Sequence, residues 1–456
     1  MKNPLLVPEL RDLLVRKDIQ GLRDFCISAH PGTVAEFLGA LSLDEIWFVL
    51  TILEPRLRAE IFGNLDQEIQ VGLADSLKRQ ELAEVVTHMS GDERVDLLKR
   101  LPEDKQEALL PVLAHAERED IRRLSSYPEG TAGAVMTSDY ATLLPEQTAE
   151  EAIQKLRREA PDKETIYYSY VVDSDRRLIG FLSLKDLILA RPGKHVEEFM
   201  HRDLIFAQVE EDQEEAARKI SKYDLIALPV VNGNMVLMGI ITYDDAIDII
   251  NQEHTEDMEK FMAISGAHET GTYLRSSWWV HFKNRYIWLV ILSALGLISG
   301  YIVQKYETLL IQFVVLATFM PMLADTGGNT GSQSATLVVR ALAVREISTS
   351  DVLRVLWQEF KVGLPLALLL SILAFGRVLF FSGGTEGYST AFLGLAIGMA
   401  LGLQVLTSTL IGALLPLGAA RLKFDPAVVA SPALTTIVDI TGLLIYFSMA
   451  KMLLGI

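Results

Sequence analysis

The chain has 456 residues, half of them hydrophobic, and a formal net charge of −17. Of its 42 basic and 59 acidic residues, 12 and 8 fall from Arg275 onward, so that stretch carries +4 and everything before it −21. Such a negative first part repels nucleic acid and anionic lipid, and it attracts cations. The single cysteine, Cys26, cannot form an intrachain disulfide, which suits a reducing compartment. The start, MKNPLLVPELRDLL, lacks an apolar run behind a basic stretch, so no cleaved signal peptide is expected.

Residues 1–131 read as an all-α domain. Apolar positions recur every three or four residues at Leu43, Ile46, Trp47, Leu50 and Leu53, and again at Val95, Leu97, Leu98 and Leu101. The stretches SLDEIWFVLTILEP and SGDERVDLLKRLPEDKQEALLPVL share an acidic cap, an apolar run and a proline, with Ser90 or Asp92 capping the second. A superhelix of short paired helices is predicted.

From Ala132 the texture changes to strands alternating with helices, with a repeat of about 60 residues. Val172 matches Val231, Gly180 matches Gly239 and Asp186 matches Asp245, each pair 59 residues apart. Upstream, Val135-Met136 is echoed by Phe199-Met200. This β-β-α repeat, with Ser183-x-x-Asp186 and Thr242-x-x-Asp245, resembles a tandem pair of CBS modules at 132–195 and 196–250. The resemblance implies a cleft that in many such pairs binds an adenosine nucleotide such as ATP, with Asp186 or Asp245 on the ribose. Other pairs are purely structural.

A polar helix follows, DDAIDIINQEHTEDMEKFMAIS, with a connecting segment at 251–275. Asp244, Asp245, Asp248, Glu253, Glu256 and Asp257 recur at three- and four-residue steps, which puts several on one face. Like charges at that spacing repel unless something neutralises them. One reading is a solvated face. The other is a divalent-cation zipper, in which Mg²⁺ bridges this helix to Asp92 and Asp96 of the helical domain and to Asp212, Glu214 and Asp224 of the second module. The helix leads into the first apolar run, so its position could gate a pore.

Residues 276–456 hold five apolar runs: Tyr286–Val303, Leu309–Ala324 (continued by Thr336–Val344 after a Gly-rich break), Val362–Phe381, Ala391–Leu417 and Ser431–Leu454. Each is near the roughly 20 residues a helix needs to cross a bilayer. Lys and Arg concentrate before the first run and in the 2–3 and 4–5 loops, whereas SGGTEGY holds none. A multi-pass protein of the plasma membrane is expected, with the N-terminal half cytosolic and the C-terminus outside.

Polar residues inside the runs carry the functional signal. Gly327, Gly328 and Gly331 interrupt a segment at membrane depth, beside Asn329, Gln333 and Thr336. Irregular backbone there survives only against protein or a wet cavity, and it would turn carbonyls toward an ion. Close helix packing through small residues is the alternative. Asp439 lies eight residues beyond Ser431, about 12 Å along a helix. A carboxylate at that depth needs water, a cation or a basic partner. Thr435 and Thr436 stand one turn before it. Mg²⁺ is hard, octahedral and slow to shed water, and oxygen ligands suit it, as do outer-shell carboxylates. Mn²⁺, Co²⁺ and Ca²⁺ remain alternatives.

With these parts in order, and with TGGNTGSQSATLVVRALA and DPAVVASPALTTIVDITG as its most specific motifs, the chain resembles the MgtE family of Mg²⁺ channels and transporters. The resemblance implies a multidomain membrane protein: a superhelical N domain, tandem CBS domains, a plug helix and five transmembrane helices (276–456). It implies a homodimer with one pore on the two-fold axis and closure by intracellular Mg²⁺. It places the family's pore aspartate at Asp439, its partner acidic residue at Asp425 and its pore-lining segment at Gly327, Gly328 and Asn329; Thr336 joins these pore candidates by its own hydroxyl oxygen. It assigns Mg²⁺ sensing to Glu60, Asp92, Asp96, Asp212, Glu214, Asp224, Asp245, Asp248, Glu253, Glu256 and Asp257. Some members bind ATP in the CBS pair. A proton- or sodium-coupled carrier is the rival reading. No P-loop, GxSxG, HExxH or Cys-His arrangement favours an enzyme.

Overall fold

The computed structural model describes residues 7–264, 277–381, 389–429 and 432–454. Ser431, residues 382–388 and residues 265–275 of the connecting segment lie outside them. The chain divides into two compact units, Met1–Asn251 and Gln252–Ile456.

The first unit opens with ten short helices: α1 (Val7–Arg16), α2 (Ile19–Ser28), α3 (Pro31–Leu38), α4 (Leu43–Ile52), α5 (Pro55–Gly63), α6 (Gln67–Ser76), α7 (Arg79–Thr87), α8 (Gly91–Arg100), α9 (Glu103–Leu109) and α10 (His115–Ser125). Their buried faces, including Ile46, Leu50, Ile61, Phe62, Leu73 and Leu97, form one core. The starts of α4, α5 and α6 recur 36 residues later as those of α7, α8 and α9. A polar device recurs with the same period. Arg58 donates to the carbonyls of Leu50 and Leu53, and Arg94 donates to those of Val86 and Met89. Gln70 donates to Leu65, and Gln106 to Leu101. Each side chain adds a donor to carbonyls at the end of a preceding helix.

Two three-stranded sheets follow. They are built from β1 (Tyr140–Leu143), α11 (Ala149–Glu159), β2 (Thr165–Val172), β3 (Leu178–Ser183) and α12 (Leu184–Leu189), then β4 (Ala207–Gln208), α13 (Gln213–Tyr223), β5 (Ala227–Val231) and β6 (Leu237–Thr242). β1 and β2 are parallel and β2 and β3 antiparallel, and the second sheet repeats this. Val171 pairs with Gly180, and 59 residues on Val230 pairs with Gly239. The modules also exchange their leading segments. Thr137 pairs with Ile240 of β6, while His201 pairs with Phe181 of β3. The matched glycines permit the approach. A Cβ on Gly239 would fall 2.7 Å from the Thr137 carbonyl oxygen, and one on Gly180 2.9 Å from that of His201. The recurrence of Val135-Met136 as Phe199-Met200 therefore marks the two exchanged segments. α14 (Tyr243–Phe261) then carries the chain from the first unit into the second.

The second unit contains α15 (Trp278–Lys305), α16 (Glu307–Gln312), α17 (Val314–Ala343), α18 (Val352–Phe381), α19 (Thr390–Arg421), the short α20 (Pro426–Val429) and α21 (Pro432–Leu454). Among the described residues, α15, α18, α19 and α21 are long and apolar enough to cross a membrane. α17 is 30 residues long but carries the polar segment. α19 lies deepest, buried along most of its length. Gly394, Gly398 and Gly402 bring it close to Phe375 and Ser371 of α18, and Gly412 brings it against Gly331 of α17.

One expectation is corrected. The Gly-rich segment is not a break, because α17 runs unbroken through Gly327, Gly328 and Gly331. The interruption comes earlier, at Phe313 between α16 and α17. Backbone at membrane depth must satisfy its own hydrogen bonds, and a helix does this. The glycines serve helix packing. A Cβ on Gly327 would fall 2.9 Å from Val438, and one on Gly331 would fall 3.3 Å from the Ser408 carbonyl oxygen.

Candidate ion pathway and acidic sensor

α17 has two faces. Gly327, Gly331, Ser334 and Val338 are buried against α19 and α21. Asp325, Asn329, Gln333 and Thr336 follow one another at three- to four-residue steps on the opposite, exposed face. Asn329 donates to Asp325 at 3.2 Å, and the Thr336 hydroxyl donates to the Ser332 carbonyl at 2.7 Å. Asn329 and Thr336 thus stand on a polar stripe. Gly328 does not offer a carbonyl freed by irregular backbone, because it sits mid-helix, 3.6 Å by its built Cβ from Thr435.

Asp439 lies on α21, part-buried, one turn from Thr435. Among the described residues no basic side chain is paired with it. Asp425 caps α20, accepting from the Ala427 amide at 2.8 Å. Its other oxygen meets Lys260 of α14 at 3.1 Å, and Lys260 also pairs with Glu256 at 2.7 Å. Burial works against the ammonium, but the bonds to Glu256 and Asp425 outweigh it and hold its pKa above the usual range. Burial, then the Asp425 charge, raises Asp257. Phe261, next to Lys260, packs against Ala335, Leu434 and Val438. Lys260 was not among the sequence candidates, which were sought as oxygen ligands, although its position one turn past Glu256 was readable.

The first unit holds a separate acidic cluster. Asp92 and Glu93 open α8, Glu164 precedes β2, and Asp244 and Asp245 open α14. Burial first, then mutual repulsion, raises Glu93 to about 7, Glu164 to about 8 and Asp245 to about 7. Asp92 is also raised, and its buried Oδ1 lacks a hydrogen-bond partner. Asp248 is raised by burial and by Asp244. Glu93 and Glu164 were not among the sequence candidates: Glu164 lies outside the helices, and Glu93 stands beside Asp92 at the start of α8. Among the described residues, no three His, Cys, Asp or Glu side chains approach closely enough to cage a bare metal ion.

The remaining acidic candidates are dispersed. Asp212 caps the start of α13, Glu214 pairs with Arg218, and Asp224 terminates the same helix in a left-handed conformation (φ 52°). Eleven helical residues hold the two ends of α13 about 16 Å apart. The structure therefore does not gather these three into one site. Asp96 pairs with Arg100 at 3.7 Å and faces the charge of Glu129. Glu60 is exposed on α5, one 36-residue repeat before Asp96. Glu253 lies mid-way along α14.

The two Ser/Thr-x-x-Asp motifs are capping boxes. Asp186 Oδ2 accepts from the Ser183 amide at 2.9 Å and from its hydroxyl at 2.5 Å, and it meets His201 Nε2 at 3.2 Å. Asp245 accepts likewise from Thr242. Their electrostatics diverge. Burial opposes the Asp186 charge, but Ser183 and His201 hold its pKa below the usual range, whereas Asp245 is pushed up.

Comparison with known proteins agrees with both halves. The MgtE intracellular N domain matches residues 29–130, the CBS domain matches 132–193 and 196–252, and the MgtE divalent cation transporter domain matches 320–449. The magnesium transporter MgtE of Thermus thermophilus is 37% identical, covering 98% of this chain and 98% of that protein. The magnesium transporter MgtE of Bacillus subtilis is 34% identical over 91% of this chain and 87% of that one. Two solved structures superpose on 54% of the chain: the soluble part of a magnesium transporter (30% identity, TM-score 0.52) and the cytosolic domain of the Mg²⁺ channel MgtE in complex with ATP (36% identity, TM-score 0.50). They cover 97% and 100% of their own lengths. With an acidic helical domain, a CBS pair and an apolar helical bundle in the order these relatives share, the chain belongs to the MgtE family of membrane transporters.

Proposed function

We propose that the chain carries Mg²⁺ across the membrane and that Asp439 is the carboxylate the ion meets inside the pore. The observation that carries this reading is a part-buried aspartate in an apolar membrane helix, without a basic partner among the described residues. Left alone in lipid it would cost several kcal/mol, and a hydrated divalent cation removes that cost. The exposed stripe of Asp325, Asn329, Gln333 and Thr336 on α17 supports a homodimer, since a second copy facing it would turn it into the wall of a wet passage. The basic loops favour a cytosolic N-terminal half and an outside C-terminus.

Gating follows from the carboxylates. The Lys260 contact to Asp425 and the seat of Phe261 on α17 and α21 hold the end of α14 at the mouth of the bundle. Cytosolic Mg²⁺ neutralises Asp92, Glu93, Glu164, Asp244 and Asp245, meeting them through its retained water shell, and so favours the closed state. Asp96, Asp248, Glu253, Glu256 and Asp257 add weaker attraction. ATP, bound in one relative's cytosolic domain, would meet Asp186, whose capping bonds all run to Oδ2.

The test is Mg²⁺ uptake into proteoliposomes, with Co²⁺, Mn²⁺ and Ca²⁺ as competitors. Asp439→Asn should abolish flux in a folded protein. Flux at the parent rate would remove Asp439 from the pathway.

A further inference from the structure

We infer that Gln404 is a positioning residue for Asp439, an inference that rests on the pore reading above. Gln404 lies mid-way along α19, fully buried, within the apolar run Ala400-Leu-Gly-Leu-Gln-Val405. A buried amide is unfavourable unless it is hydrogen-bonded, so a glutamine at this depth requires a partner. Its partner is on another helix: Nε2 donates to the Val438 carbonyl of α21 at 3.1 Å.

Two glycines shape the slot that holds this amide. A Cβ on Gly327 of α17 would fall 2.4 Å from Nε2, and one on Gly442 of α21 would fall 2.2 Å from it. The side chain thus lies across the junction of all three helices. The carbonyl it grips belongs to the same peptide unit as the nitrogen of Asp439. Thr441 donates to the same oxygen at 3.1 Å. A hydrogen bond at this point resists rotation of α21 about its own axis. A turn of about 20° would carry a carboxylate about 6 Å off the axis through about 2 Å, and errors of about 1 Å already spoil a binding geometry.

Packing alone does not explain the residue. Gln404 Oε1 is buried without a hydrogen-bond partner, as are the hydroxyls of Ser408, one turn on, and Ser334 across on α17. Leucine or methionine would fill the slot without leaving an orphaned oxygen. What only the amide supplies is the donor to Val438.

The experiment compares Gln404→Met with the parent as full-length protein in proteoliposomes. Methionine keeps the length and removes the donor. Folding is followed by gel filtration and thermal unfolding, and transport by Mg²⁺ uptake against concentration with Ca²⁺ as competitor. The expected result is a folded protein whose half-saturating Mg²⁺ rises about tenfold and whose preference for Mg²⁺ over Ca²⁺ falls. Parent-like half-saturation and preference in folded Gln404→Met overturn the positioning role while leaving the pore reading intact. Normal flux in Asp439→Asn overturns the pore reading, and the inference with it. Should Gln404→Met not fold, Gly442→Ala, which pushes the amide out of its slot from the α21 side, carries the test with the same two deciding results.

Discussion

Neutralising Glu93 should stabilise the first unit at alkaline pH and leave it unchanged in acid. Burial, then the charge of Asp92, pushes this carboxyl from 4.5 up to about 7. A carboxyl whose folded pKa is raised contributes its full stability below the unfolded pKa and loses it as pH rises through the folded one. The loss therefore falls between pH 4.5 and about 7. At ~1.36 kcal/mol per pH unit the ceiling is about 3 kcal/mol, and partial solvent screening leaves on the order of 1–3 kcal/mol. Gln at this position retains the helix-start contact with Ser90, so the substitution isolates the charge. The assay is thermal unfolding of residues 1–251, the counterpart of the soluble part solved for a relative, in chelator from pH 4 to pH 8. At ~2–4 °C per kcal/mol, Glu93→Gln should melt several degrees higher at pH 8 and together with the parent at pH 4. Millimolar Mg²⁺ at pH 8 should shrink the difference by neutralising the same cluster. A gain that is equal at both pH values, or absent at pH 8, would refute the electrostatic account.

The membrane half offers two further tests. Gly412→Ala would place its Cβ 2.3 Å from the Gly331 carbonyl oxygen, against backbone that cannot swing aside, and should cost about 1–3 kcal/mol by forcing α17 and α19 apart; an unchanged melting temperature of the detergent-solubilised protein would argue against this packing. Lys260→Met keeps the stem but leaves Asp425 and Glu256 without their ammonium, so flux should persist at cytosolic Mg²⁺ levels that close the parent; an unaltered Mg²⁺ dependence of channel current in patches would dismiss the contact as a latch.

The parts of this protein that follow a simple period were legible in the sequence. The 59-residue spacing of Gly180 and Gly239 marked two like sheets, because only glycine admits the crossing backbone at both places. Long apolar runs marked the bundle, because lipid demands them. The 36-residue helical repeat escaped notice. Its signature is Arg58 with Arg94 and Gln70 with Gln106, polar residues that bond carbonyls and so fall outside any apolar pattern. The glycines of α17 were read as a break because composition does not tell a glycine that loosens backbone from one that lets helices touch. Asp212 and Asp224 looked like neighbours in a list of acids, yet a helix holds them at its opposite ends. Gln404 carried a readable signal, a lone amide in an apolar span, but its meaning depends on Val438, 34 residues away.

The exchange of leading segments between the two sheets bears on how this chain can be cut. A fragment ending at residue 195 would keep β3 but lose His201, exposing the amide and the carbonyl of Phe181, which another chain could cap. The complementary fragment would lose Thr137 and strip β6 in the same way. Neither half is a self-sufficient piece, and mixing the two truncated products should let them restore each other's missing border.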